Sequence, residues 1–304
     1  DAGFQLGRTG ASGGPFHLTN QFFPDMKGLA ADMREADVRP GLWVRILRTQ
    51  ERVPNDWIRQ APHDRSGDLV DASVPEAVDY MTAQLRPLVD DWGYELVKHD
   101  FSTNDIFGNW GFQMKAMQYS AGLGPFRNKD RTTAEIILDL YRAIRDAAGS
   151  AIVIGCNTVG HLAAGLVEVQ RTGDDTSGRR WARTRRMGVN TLAFRGVQHD
   201  AFFAVDADCV GLTDRIPWEL NRQWLDLLAR SGTPLFVSAD PKVLGTAQQD
   251  ALIAAFAANS VSQPLGEPLD WMDTLVPSRW VLQGEKVQFD WSEEGIPTHC
   301  SWGS

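Results

Sequence analysis

The sequence predicts an α/β fold of the (β/α)8 TIM-barrel type. Apolar runs of strand length alternate with segments at helical spacing from about residue 24 to residue 262. That alternation is the pattern of a parallel sheet with right-handed crossovers. The runs end in polar or ionisable residues, and a barrel collects its chemistry at the carboxyl ends of its strands. No Gly-x-Gly-x-x-Gly follows a strand and no phosphate loop is present, which counts against a nucleotide-binding open sheet.

In chain order, residues 24–37 place Met26, Leu29, Ala30 and Met33 at helical spacing. Pro40-Gly41 stops that helix, and a strand follows at 42–47. Residues 48–72, with Pro54, Pro62 and Gly67, are expected to form a long loop. Ser73-Val-Pro-Glu76 has the form of a capping box with proline in the first turn. The helix it opens carries Val74, Val78, Met81, Leu85, Val89 and Trp92 on one face, and Pro87 is expected to kink it. A strand at 94–98 ends in Lys98-His99-Asp100, and 101–131 reads as a second long loop. Thr132-Thr-Ala-Glu135 is another capping box, continued by Ile136, Ile137, Leu140, Ile144 and Ala147.

Further strands are expected at 151–155, 167–170, 202–205 and 234–238. Their tips are Cys156-Asn157, Arg171 to Asp175, Asp206-Ala-Asp208 and Asp240. Helices are expected at about 178–192, from Pro217 onward, and at about 246–262. The chain therefore reads as a barrel lacking its first one or two strands. Beyond Gln263 the pattern is broken by Pro264, Pro268 and Pro277, and 279–282 and 286–291 look like antiparallel strands around Gly284. The expected organisation is a barrel domain over 1–262 and the start of a small C-terminal β domain, or a linker, over 263–304.

The 304 residues are 43% hydrophobic and 23% charged, with a net charge of −9. That is the composition of a globular chain with a sizeable core. Its negative balance disfavours a nucleic-acid partner. The cluster Arg179, Arg180, Arg183, Arg185 and Arg186 would spread around a helix and reads as a solvated face. No segment reaches the roughly 18 apolar residues of a bilayer span, so no membrane partner is expected. Cys156, Cys209 and Cys300 are too scattered for a disulfide framework or a Cys-x-x-Cys metal site. They leave the compartment open, as does a first residue other than Met. Eleven Trp suit a sugar-binding cleft and suit a core equally.

The strand tips carry the candidate chemistry. Asp100 and the pair Asp174-Asp175 end non-adjacent strands, so they are expected to face each other across a barrel mouth. Glycoside hydrolysis needs such a pair, one carboxyl as nucleophile and one as general acid/base. Lys98 lies two residues before Asp100 and so shares its side of the strand. An ammonium there keeps a carboxylate ionised. His99 is expected to turn the other way, into the outer layer. Arg171 stands where it can grip a sugar hydroxyl beside the second acid. Trp43 and Trp110 are candidate sugar platforms, and Asn157 and Cys156 are candidate contacts. Metal-dependent hydrolysis is the rival, with His99, His161, His199, Asp100, Asp200, Asp206 and Asp208 as ligand types. His-x-His at an early strand end and His-Glu-x-x-His are both missing, so neither a metal nor a cofactor is expected. No Gly-x-Ser-x-Gly supports a Ser/His/Asp triad.

These tips, taken together, carry a resemblance. Leu96-Val-Lys-His-Asp-Phe101 resembles the Lys-x-Asp nucleophile motif of the melibiase-type α-galactosidase clan, glycoside hydrolase families 27 and 36. Val167-Glu-Val-Gln-Arg-Thr-Gly-Asp-Asp-Thr176 is similar to the clan's later strand end, where an Arg precedes the acid/base Asp by four residues. Asp1-Ala-Gly-Phe4 resembles its Asp-Asp-x-Trp turn, with Ala2 in place of the second acid. Gly155-Cys156-Asn157 resembles a strand end of family 36-like members, and the tips at Asp206-Ala-Asp208 and Asp240 are similar to the clan's last two. The resemblance implies a retaining α-glycosidase for terminal α-galactosides, with Asp100 as nucleophile and Asp175, in preference to Asp174, as acid/base. It further implies that Lys98, Arg171 and Asp1 contact the sugar. The alternatives are galactosyl transfer on the same site, or a carbohydrate-binding relative without turnover. The implied partner is a glycoside or oligosaccharide; a homo-oligomer stays open.

Overall fold

In the computed structural model, residues 2–7, 12–60, 67–110 and 124–292 are described. The chain divides into two compact units, Asp1–Gln170 and Arg171–Ser304.

Among the described residues, the first unit is organised by a parallel sheet. Its strands Gly41–Val44, Leu96–His99, Ile152–Gly155 and Val169–Arg171 lie side by side in that order, and the last residue of the last strand opens the second unit. Trp43 pairs with Lys98, and Lys98 with Ile154; one residue on, Val44, His99 and Gly155 align. Each strand lies within three residues of its expected position. Val44, Val97, Val153 and Ile154 are buried, as befits strands covered on both faces.

The helices between them follow the apolar periodicity. Thr133–Ala148 buries Ile136, Ile137, Leu140, Tyr141 and Ile144 on one stripe. Its capping box is formed, with Thr132 accepting from the Glu135 amide and Glu135 accepting from the Thr132 amide. The segment opened by Ser73 behaves differently. It forms two helices, Pro75–Ala83 and Leu85–Asp90. Pro87 lacks the amide that would bond to the Ala83 carbonyl, and the helix breaks at Gln84. The expected Ser73 capping box is not formed. Val74 is the N-cap, without a side-chain bond, because Asp71 takes the Ser73 amide and the Ser73 hydroxyl accepts from the Asn128 amide.

The expected loops hold regular structure too short to show a period. Within 48–72, Arg48–Thr49, Asp68–Val70 and Ile58–Gln60 form an antiparallel sheet. Within 101–131, a helix starts just after the second strand tip, at Ser102–Phe107.

In the second unit, the Thr172 amide donates to the Asp206 carbonyl, which sets strand Ala204–Asp206 beside the chain leaving Arg171. Val210–Leu212 pairs in parallel with Val237–Ala239, and helix Trp218–Arg230 connects them. The strand at 210–212 is missed by the sequence reading. Asp208 takes a positive φ of 72° and divides one apolar stretch into two short strands. Helix Thr246–Asn259 follows. Arg279–Leu282 and Glu285–Gln288 form the expected hairpin, turning through Gln283 and Gly284 with φ of 53° and 82°, a mirror-image turn that suits the strand twist.

The arginine-rich segment is helical from Trp181 to Arg195, with wider π spacing over Thr184–Val189. Arg185 departs from the expected solvated face: it is buried and donates to the Trp291 carbonyl. The unit's core contains Trp181, Trp224, Trp280 and Trp291, each with its indole N–H on a backbone carbonyl. No helix among the described residues is long and apolar enough to cross a membrane.

Candidate active site

The tip of the second parallel strand is built by alternation. Val97 and His99 are buried; Leu96 and Lys98 are half-buried on the other face. His99 is 1% exposed and lies edge-on to Tyr141, at 5.9 Å between ring centres. Among the described residues neither of its ring nitrogens has a hydrogen-bond partner. Burial pushes His99 down to about 4, against a smaller opposing pull from Asp100, so the imidazole is neutral at pH 7.

Asp100 follows and is itself 8% exposed. Its amide donates to the Val44 carbonyl, which ties it to the neighbouring strand. The carboxylate is held by neighbours from several elements. The Trp43 indole donates to Oδ2 at 2.9 Å, while the Asn157 amide nitrogen and the Phe101 backbone amide donate to Oδ1, each at 2.6 Å. Hydrogen bonds to the charged form favour an ionised carboxylate. Trp43 is buried with its indole N–H committed to Asp100. Asn157 reaches Asp100 from a left-handed backbone (φ 52°), and its carbonyl accepts from the Thr103 amide. Cys156 is fully buried and its sulfur lies 3.7 Å from the Asn157 amide nitrogen. Trp110 packs on Phe101 with ring centres 4.9 Å apart. Asp1 lies outside the described residues.

Sequence reasoning passed over the charged residues behind this tip. Arg45 grips Asp105 through two parallel bonds, Nε to Oδ2 at 2.9 Å and Nη2 to Oδ1 at 2.6 Å. Arg48 Nε adds a bond to Oδ1 at 3.1 Å. All three side chains are buried. The available signal was an arginine inside the otherwise apolar run Leu42-Trp-Val-Arg-Ile-Leu47: a buried arginine needs a buried acid.

In the second unit, Arg171 is buried and its Nη1 lies 2.8 Å from Asp175 Oδ1 and 3.4 Å from Asp208 Oδ1. Asp208 also accepts from the amide and hydroxyl of Thr176, and its own amide bonds to Asp206. The two adjacent acids differ. Asp174 accepts from the Asp175 amide and from Arg183, at 2.5 Å. The Asp175 side chain is 59% exposed. Gly173 between Arg171 and these acids is required by packing, because a Cβ there would lie 2.1 Å from the Met187 carbonyl oxygen. Of the candidate metal ligands, His199 accepts the Val205 amide on Nδ1 and lies 3.5 Å from Asp200 through Nε2. Among the described residues no three His, Cys, Asp or Glu side chains form a group able to hold a metal ion.

No protein-family model matches the sequence, and no curated protein does. Solved structures do. TtGalA, an α-galactosidase from Thermus thermophilus in complex with p-nitrophenyl α-D-galactopyranoside, matches with a TM-score of 0.61 and 21% identity, over 89% of this chain and 56% of that one. An isomalto-dextranase from Arthrobacter globiformis T6, complexed with panose, matches with a TM-score of 0.60 and 14% identity, over 90% and 52%. A GH27 β-L-arabinopyranosidase from Geobacillus stearothermophilus matches with a TM-score of 0.56 and 17% identity, over 78% and 57%. The chain spans just over half the length of these structures. The likeness shows the fold: an α/β chain with a parallel sheet, of the kind found in TIM-barrel glycosidases. More particularly, it is the fold of the melibiase-type glycosidases.

Proposed function

We propose that this chain carries the catalytic machinery of a retaining α-glycosidase acting on terminal α-galactosides or close relatives. Asp100 attacks the anomeric carbon, forming a covalent glycosyl-enzyme as the bond to the leaving oxygen breaks. Asp175 protonates that oxygen, then takes a proton from the water that releases the sugar. The observation that carries this reading is the Asp100 carboxylate, placed at a strand tip and supplied with N–H donors by Trp43, Asn157 and Phe101. A nucleophile must be ionised and fixed in orientation, and donors to the charged form serve both needs.

The choice of Asp175 over Asp174 rests on availability. Asp174 is engaged by Arg183 and a neighbouring amide, whereas Asp175 is largely exposed beside Arg171. Lys98, half-buried on the strand face that leads to Asp100, and Arg171 are assigned to sugar hydroxyls, as is Asp1. Ala2 stands where the resemblance expects a second acid, so selectivity at the sugar's O4 and O6 hydroxyls is set differently here. The reading assigns the chain no cofactor.

Turnover of aryl α-galactosides and aryl β-L-arabinopyranosides tests the reading. The wild type is expected to hydrolyse at least one of them with retention. Asp100→Gly should lose at least about a thousandfold in kcat and regain turnover with azide, giving the glycosyl azide of inverted configuration. Full activity in Asp100→Gly, or a wild type inactive on aryl β-L-arabinopyranosides and across a panel of α-glycosides, would refute it.

A further inference from the structure

We propose that Arg45 is a positioning residue for this reaction, acting on Asp100 through Phe101. The proposal rests on the reading of Asp100 as nucleophile, but its physical basis is separate. Phe101 has a φ of 72°, a left-handed backbone that is uncommon and strained for a bulky side chain. Such strain persists only where the surroundings hold it. Its consequence is local. The Phe101 amide, in the peptide plane it shares with Asp100, donates to Asp100 Oδ1, and the left-handed φ turns the chain that follows. It also opens the next helix, because the Phe101 carbonyl accepts from the Asp105 amide.

Arg45 closes this arrangement from the neighbouring strand. Its guanidinium carbon lies 4.1 Å from the centre of the Phe101 ring, within cation–π range. Its fork is taken up by Asp105, four residues further along the same turn. Trp43, two residues before Arg45, packs edge-on against Phe101 at 6.0 Å and donates to the other oxygen of Asp100. This strand end thus reaches both oxygens: Oδ2 directly through Trp43, and Oδ1, which also accepts from Asn157, through the Arg45–Phe101 contact. Arg48 also holds Asp105, so removing Arg45 leaves that buried acid with one guanidinium partner.

The test reads Asp100 itself. Its titration in the free protein is followed by carboxyl 13C NMR, identified by difference against Asp100→Asn, alongside kcat and KM on an aryl α-glycoside. In Arg45→Met the titration is expected to move upward by about half a unit or more, since the Phe101 amide that donates to Oδ1 is no longer held in aim. The kcat should fall about tenfold or more, with KM little changed. Arg45→Lys, which keeps the charge but not the fork, should lie between. Phe101→Gly keeps a positive φ without strain and removes the ring, so Arg45→Met should add little in that background. An Arg45→Met protein that titrates as wild type, or effects that add fully to those of Phe101→Gly, would overturn the proposal. Should the wild type turn over no α-glycoside and no aryl β-L-arabinopyranoside, the glycosidase reading fails, and the titration still decides the role of Arg45.

Discussion

His99 and Asp100 are adjacent in sequence and opposite in surroundings. One is packed against Tyr141 with neither ring nitrogen bonded among the described residues, and the other is a carboxylate held by N–H donors. Burial depresses the folded-state pKa of His99 to about 4 from an ordinary 6.5. Between those values the unfolded chain binds the extra proton, so stability is full above about pH 6.5 and declines as the pH falls toward 4. The loss amounts to about 3 kcal/mol across that window. Replacing His99 with Phe should flatten the dependence of unfolding free energy on pH between 4 and 6.5, measured by urea denaturation; an unchanged slope would assign it to other groups. The alternation of Lys98, His99 and Asp100 was legible because a strand has period two. That Trp43 and Asn157 hold Asp100 was not legible as a contact, because it depends on the register between strands. Arg45, Arg48 and Asp105 were missed for a related reason: their pairing joins positions 57 to 60 residues apart.

Two Ser/Thr-x-x-Glu patterns in this chain have different outcomes. Thr132 caps its helix; Ser73 does not. The motif states what a side chain can do, and the competing partner decides whether it does so. Asp71 draws the Ser73 amide away, and the helix starts two residues later, at Pro75. Thr132→Ala should therefore lower stability by about 1 kcal/mol, seen as a shift in denaturation midpoint with an unchanged slope. Long helices such as Thr133–Ala148 were readable from their apolar stripe. Strands of two or three residues, such as Arg48–Thr49 and Val210–Leu212, contain too little of a period to be seen, and their pairing partners establish them.

The tryptophans show how composition becomes structure. Eleven Trp left open whether the rings serve a cleft or a core. In the second unit, Trp181, Trp224, Trp280 and Trp291 are core residues, and each indole N–H finds a carbonyl there. Trp224 is fully buried and abuts Gly188, where even a Cβ would come within 2.8 Å of its ring. Trp224→Ala should cost about 3–5 kcal/mol, measured by chemical denaturation; a loss under about 1 kcal/mol would mean that the site collapses or is not packed as described. Strand–helix alternation, the polar strand tips and the order of the motifs were all written along the chain, because each depends on local period and on neighbours in sequence. They were enough to anticipate a parallel α/β fold of the TIM-barrel glycosidase kind. Which donors surround Asp100, which of two adjacent acids stays exposed, and which arginine is buried follow from register and packing. Those properties join residues far apart in the chain, and no local pattern encodes them.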